Sequence, residues 1–167
     1  MRIELRTPAA EDVQIFFAHQ QEPEALLMGA FVARDRDVFM AHWAKTAADP
    51  AVLRKTILAD GLAAGYVASF ESFGKREVGY WIGKDAWGKG VATKALSEFL
   101  TEETRRPLWA RVAKRNPASL RVAEKCGFAI VGEDKYPNEA GEVVEEFVLK
   151  LGEKPEKSIL CLAPLLI

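Results

Sequence analysis

The chain has 167 residues, 49% of them hydrophobic and 28% charged, with a formal net charge of -1, which describes one ordinary folded domain and excludes disordered and fibrous classes. A chain of this length buries roughly 70% of the surface its unfolded form exposes, so its core needs neither a disulfide nor a metal. Cys126 and Cys161, read as free thiols, and the widely separated His19 and His42 lack the spacing of a structural zinc cluster, while 23 basic residues against 24 acidic ones call for no nucleic-acid partner.

Met1-Arg2-Ile3-Glu4-Leu5-Arg6 alternates polar and apolar residues, which predicts a strand. It lacks the apolar core of an export signal, so the expected location is cytoplasmic. Thr7-Pro8 reads as an N-cap with proline at the first helical position, and Val13, Phe16, Phe17 and Gln20 follow at helical spacing. A second helix is expected from Asp35 to Asp49, where Val38/Phe39, His42/Trp43 and Thr46/Ala47 recur every four residues and Asp49-Pro50 ends the run. Three antiparallel strands follow near Leu53 to Ala59, Ala63 to Phe70 and Glu77 to Gly83, separated by the hairpin signals Asp60-Gly61 and Phe73-Gly74-Lys75.

Val91, Ala95, Leu96, Phe99 and Leu100 then form one apolar helical face. Leu108, Ala110 and Val112 alternate as a strand, and Asn116-Pro117 caps a helix that Gly127 closes. Two last strands run from Phe128 to Asp134 and from Val143 to Leu151, giving the order βααβββαβαββ in a domain spanning residues 1–151. Residues 152–167 read as a solvated linker, Gly152 to Ser158, and an apolar tail, Ile159 to Ile167. That tail is about half the roughly 20 residues needed to span a bilayer, so no membrane partner is expected. It suits packing on its own domain or on a second copy in a homodimer.

Trp87-Gly88-Lys89-Gly90-Val91-Ala92-Thr93 lies between a strand and a helix. The first turn of a helix has unpaired N–H groups and a positive dipole end, and glycines let phosphate oxygens approach the backbone. A P-loop would need Ser or Thr after Gly88-Lys89, where Gly90 stands. A dinucleotide fold would want an acidic residue ending the next strand, where Ala113-Lys114-Arg115 stands.

Gly90 and Ala92 match the last fixed positions of the Arg/Gln-x-x-Gly-x-Gly/Ala loop, with Trp87 in the Arg/Gln slot. Val78-Gly79-Tyr80-Trp81-Ile82-Gly83 precedes it, and Asn116-Pro117-Ala118-Ser119 through Glu124-Lys125-Cys126-Gly127-Phe128 follows. With these three blocks, the chain resembles the GNAT superfamily of N-acetyltransferases over roughly residues 2 to 151, in its RimJ/RimL-like branch, which acetylates the N-termini of ribosomal proteins.

The resemblance implies an α/β (α+β) fold: a twisted, mixed, mostly antiparallel sheet of about seven strands flanked by about four helices. It implies acetyl-CoA as co-substrate, no metal, and direct attack by a primary amine, either a protein N-terminus or a small molecule. The alternatives are a small-amine or antibiotic acetyltransferase and a catalytically silent acyl-CoA-binding module. Pantetheine would lie against main-chain groups near Trp81, Ile82 and Gly83, between splayed strands. The pyrophosphate would sit on the N–H groups of Gly88, Lys89, Gly90, Val91, Ala92 and Thr93. Asn116, Ser119 and Lys125 complete the expected cofactor contacts, with Lys89, Lys94, Arg121 or Lys125 facing the ribose phosphate.

The family's general-acid tyrosine is replaced by Ala123, which leaves Ser119 or a water to protonate the leaving thiolate. Glu71 and Glu77 are the candidate bases, with Asp85 behind them. Cys126 sits on a buried helical face and is expected to be inert packing. The acceptor site is expected from Gln21 to Arg34, with Leu26, Leu27, Met28 and Phe31 as possible lining, and from Tyr136 to Gly141. Glu22, Glu24 and Glu139 read as solvated loop carboxylates, with attraction of a cationic amine or peptide as the alternative.

Overall fold

A computed structural model describes residues 1–153, so the apolar tail and most of the expected linker lie outside the described residues. The elements are β1 (Ile3–Arg6), α1 (Asp12–His19), α2 (Pro23–Gly29), α3 (Arg36–Ala47), β2 (Leu53–Ala59), β3 (Leu62–Ser72), β4 (Lys75–Ile82), α4 (Val91–Glu102), β5 (Leu108–Ala113), α5 (Pro117–Lys125), β6 (Ala129–Pro137) and β7 (Val143–Leu151). A single 3₁₀ turn, Lys84–Ala86, links β4 to the glycine loop. All seven strands form one sheet in the order β1-β2-β3-β4-β5-β7-β6. Every neighbouring pair is antiparallel except β4 and β5.

Expected and observed elements differ at two places. The first helix begins at Asp12 instead of Pro8, because the Asp12 carboxylate organises the turn before it. That carboxylate accepts from the Ala9 N–H at 2.8 Å, the Thr56 hydroxyl at 2.7 Å and the Arg6 guanidinium at 2.6 and 2.8 Å. The Arg6 bond, outweighing burial, holds the Asp12 carboxyl at about 2. The second difference is α2, which falls in the stretch expected to be a loop. Pro23 opens this helix at its first turn, and Ala30, at φ 57°, closes it in the left-handed region.

The main core lies between the sheet and α4/α5, where Val91, Ala95, Leu96 and Phe99 meet Ile57, Val67, Leu108 and Leu149. On the opposite face, Phe16, Phe39 and Trp43 of α1 and α3 form a separate aromatic cluster against Tyr66. A buried polar knot joins the end of α4 to the sheet. The Glu103 carboxylate accepts from Arg76 at 3.1 Å, from Arg105 at 2.9 Å and from the Ser69 hydroxyl. Burial alone would raise the Glu103 carboxyl, but these bonds outweigh it and hold it at about 2.

Candidate active site

The site begins with a defect in strand pairing. β4 and β5 run parallel and share one register pair, Glu77 opposite Trp109. Beyond that point they diverge, and the gap opens into a cavity of about 600 Å³. The β5-facing edge of β4 from Gly79 to Ile82 therefore has main-chain groups without a strand partner, and an extended ligand can take that place.

Side-chain alternation gives this edge two chemical faces. Tyr80 and Ile82 belong to the core beside α4 and α5. Trp81 points the other way, its ring 5.7 Å from that of Phe31 just after α2. Gly65 of β3 lies opposite Ile82, and the Ala64 carbonyl accepts from the Gly83 N–H at 2.8 Å, which fixes the end of β4. His19 stacks where Gly83 lacks a side chain: a Cβ there would lie 2.5 Å from its Nε2. Burial pushes the His19 imidazole below its ordinary range.

At the far end of the gap, Gly88 and Gly90 take φ of 69° and 74°, and Gly90 caps α4. Among the described residues, none of the N–H groups from Gly88 to Thr93 has a backbone acceptor. Six successive N–H groups are thus left without backbone acceptors beside the positive end of a helix, an arrangement suited to an anion. The Trp87 indole donates to the Ile82 carbonyl at 2.9 Å, tying this loop to the strand that bounds the gap. A departure from the Arg/Gln pattern at Trp87 is in this way a structural brace.

α5 forms the third wall. Asn116 Oδ1 accepts from the Ser119 N–H at 3.1 Å, so the expected cap is present and Ser119 is fixed in the first turn. The Ser119 and Tyr80 hydroxyls are 2.7 Å apart, and both line the cavity. Cys126 packs against the core with its thiol directed at the Thr93 carbonyl, 3.6 Å away, and burial pushes that thiol up. It is a packing residue.

The predicted site residues separate into groups. Trp81, Ile82, Trp87, Gly88, Gly90, Val91, Ala92, Thr93, Asn116, Ser119 and Lys125 all line the cavity, as does Glu77. Lys94 and Lys125 border a second, shallower groove of about 540 Å³ that runs over α4 beside Gly90 and Thr93. Lys89 turns back to the Asp85 carbonyl at 2.7 Å. Glu71 lies outside the lining, exposed, with Arg76 at 3.7 Å.

Glu77 is 8% exposed and is held by Arg111 at 3.1 Å. Arg111 also donates to Asp134 at 2.8 Å and to Glu146 at 2.7 Å, and these bonds, led by that to Glu146, raise the guanidinium above its usual value. Tyr136 donates to Glu146 at 3.3 Å. Met28, Phe31 and Phe70 supply apolar surface, whereas Leu27 faces solvent. Glu24 pairs with Lys84 at 2.7 Å, which ties α2 to the 3₁₀ turn.

Sequence reasoning gave no role to Arg111, Glu146 or the Tyr80 hydroxyl. The signal for the first two was a charged residue set among apolar ones, Arg111 in β5 and Glu146 in β7, which does not say that the two meet beside a cavity.

The description "Acetyltransferase (GNAT) domain" belongs to a family model that matches residues 2–129. No curated protein matches the chain with significance. Among solved structures, spermidine N-acetyltransferase from Vibrio cholerae, in complex with CoA and spermine, superposes with a TM-score of 0.77 at 19% identity, covering 90% of this chain and 95% of that one. RimL, a ribosomal alpha-N-protein acetyltransferase in complex with coenzyme A, gives 0.75 at 17% identity, covering 90% and 94%. The microcin self-immunity acetyltransferase MccE, in complex with acetyl-CoA and AMP, gives 0.71 at 19%, covering 90% and 92%. At such identities the likeness to these structures is one of fold. Family match, splayed strands and anion cradle agree: the chain belongs to the GNAT acetyltransferases, acyltransferases that carry an acetyl group from acetyl-CoA to an amine.

Proposed function

We propose that this chain acetylates a primary amine by direct attack in a ternary complex, and that it is of the RimJ/RimL-like type. One observation carries the reading: the unpaired edge of β4 runs straight into the unpaired N–H groups of residues 88–93. A strand-shaped slot that ends in an anion cradle fits a pantetheine arm ending in a pyrophosphate. Of the main-chain groups at Trp81, Ile82 and Gly83, the Gly83 N–H is taken by Ala64 and the Ile82 carbonyl by Trp87, so the Ile82 N–H on the gap side would hold the arm, Gly88 through Thr93 the pyrophosphate, and Lys94, Arg121 and Lys125 the remaining phosphate. Asn116 fixes the α5 wall. Acetyl-CoA supplies the electrophilic thioester carbonyl.

The acceptor would enter from the Trp81 side of β4. There Glu77, Asp134 and Glu146 share a single guanidinium, Arg111, so the wall keeps an excess of negative charge. Together with Met28, Phe31, Phe70 and Trp81, it suits an amine carried on an apolar body. Holding that amine about 3–3.5 Å from the carbonyl supplies much of the rate enhancement. Glu77, which lines the cavity together with Glu146, would take its proton through water, whereas Glu71 lies outside the lining. RimJ/RimL-like affiliation is supported by Trp87-Gly88-Lys89-Gly90 and by the Asn116-capped helix carrying Ser119.

Thiol release from acetyl-CoA against a panel of primary amines tests this reading. The expected result is release that depends on one class of amine. Binding of acetyl-CoA without release in any amine would instead identify a silent acyl-CoA-binding module.

A further inference from the structure

Ala123 occupies the position where the resemblance led us to expect a tyrosine, yet the cavity is not without a phenol. Tyr80 arrives from β4, across the gap, and its hydroxyl meets Ser119 Oγ at 2.7 Å. Neither hydroxyl has another hydrogen-bond partner among the described residues. The pair is held from both sides: Asn116 fixes the Ser119 backbone, and Tyr80 packs into the α4/α5 core.

We propose that Tyr80 is the positioning residue for Ser119, donating its O–H to Ser119 Oγ so that the serine O–H is left to point into the cavity at the departing sulfur. A phenol is the better donor of the two and the poorer acceptor, because its lone pair is conjugated with the ring. That asymmetry gives the chain its direction, Tyr80 to Ser119 to sulfur. The inference rests on the acetyl-transfer reading.

Burial of the pair bears on what it does with its protons. Burial pushes the Tyr80 phenol up to about 12, against about 8.5 for an ordinary thiol. The buried phenol is therefore a weaker acid than an ordinary thiol, and passing its proton along the chain to a thiolate is unfavourable. The pair acts as a hydrogen-bond donor and not as an acid. The amine nitrogen forms its bond to the carbonyl carbon, the carbon–sulfur bond breaks with its electron pair going to sulfur, and the amine proton passes through water to Glu77. The thiolate is stabilised by the Ser119 O–H without taking its proton. On this proposal Ser119 stabilises the thiolate in place, where the sequence-based expectation had Ser119 or a water protonate it.

The test uses Tyr80→Phe, which removes one oxygen and keeps the ring, with Ser119→Ala and the double variant beside it. Tyr80→Phe should lower kcat about tenfold while KM for acetyl-CoA stays within about twofold, the pattern of a contact made in the transition state. The double variant should be no slower than Ser119→Ala, because the two residues act as one unit. With no proton transferred, the ratio of wild-type to Tyr80→Phe kcat should stay flat from about pH 6.5 to 9. An unchanged kcat, a loss confined to KM, multiplicative losses in the double variant, or a ratio that varies with pH would each overturn the proposal. If wild-type protein releases no thiol with any amine, the acetyl-transfer reading itself falls; a wild type that turns over beside an unaffected Tyr80→Phe removes the pairing alone.

Discussion

Strand β4 has two neighbours and treats them differently. It pairs with β3 along its whole length, from Lys75 opposite Ser72 to Ile82 opposite Gly65, but with β5 at Glu77 opposite Trp109 only. The first seam spends every main-chain group on stability, and the second leaves them for a ligand. A sheet can hold both because the strands beyond the gap are secured independently: β5 pairs with β7 from Leu108 to Ala113, and Leu108 and Leu149 are completely buried.

The sharpest way to break this contrast is to damage the closed seam. A Cβ at Gly65 would lie 2.0 Å from the Trp81 carbonyl oxygen and 3.0 Å from Ile82 Cα, both backbone atoms. Gly65→Ala should cost about 4 kcal/mol or more, since β3 and β4 must separate to admit it, and should be read as a collapse of the thermal midpoint. Next comes the polar knot that ties α4 to the closed side. Glu103→Ala takes from Arg76, 6% exposed, its hydrogen-bonded carboxylate and leaves it Glu71 at 3.7 Å, and should cost about 3 kcal/mol, or roughly 6–12 °C in a domain of this size.

The knot also sets a pH dependence. Folded-state values of about 2 for Glu103 and Asp12 lie below the ordinary carboxyl range. The stability they contribute is thus complete above about pH 5 and is lost as pH falls towards 2. Denaturant midpoints measured from pH 7 to 3 should fall, and should fall less steeply in Glu103→Gln.

On the open seam, Trp87→Phe removes the indole bond to the Ile82 carbonyl. It should weaken acetyl-CoA binding about tenfold by calorimetry while costing about 1 kcal/mol of stability. The smallest effect belongs to the exposed Lys114–Glu133 pair at 2.8 Å, where Lys114→Ala should leave both the midpoint and turnover unchanged.

The closed and open sides also differ in how legible they were in the sequence. Glycines at 88 and 90, the Asn116-Pro117 cap and the apolar face of α4 are local signals, and the structure has each where the spacing placed it. α2 was not readable because it is two turns long, with Leu27 facing solvent and Met28 the cavity, so no single apolar face marks it. The start of α1 was misplaced because Asp12 answers to Arg6 and Thr56, the latter 44 residues away. Long-range pairing explains the acceptor side as well. Arg111 gathers carboxylates from β4, β6 and β7, and Tyr80 meets Ser119 from 39 residues away. Such meetings follow from strand order, which residue spacing does not encode.

The proposed acyl-CoA site joins the open edge of β4 to the cradle beyond it. Thermal unfolding of the full chain with acetyl-CoA, free CoA and NADH, each in large excess, tests that proposal most directly. At 100 times the dissociation constant, binding stabilises by about 2.7 kcal/mol, or roughly 5–10 °C here. A rise of that size with the two CoA ligands and none with NADH is the predicted result. An unfolding curve that acetyl-CoA and CoA leave unmoved would contradict it.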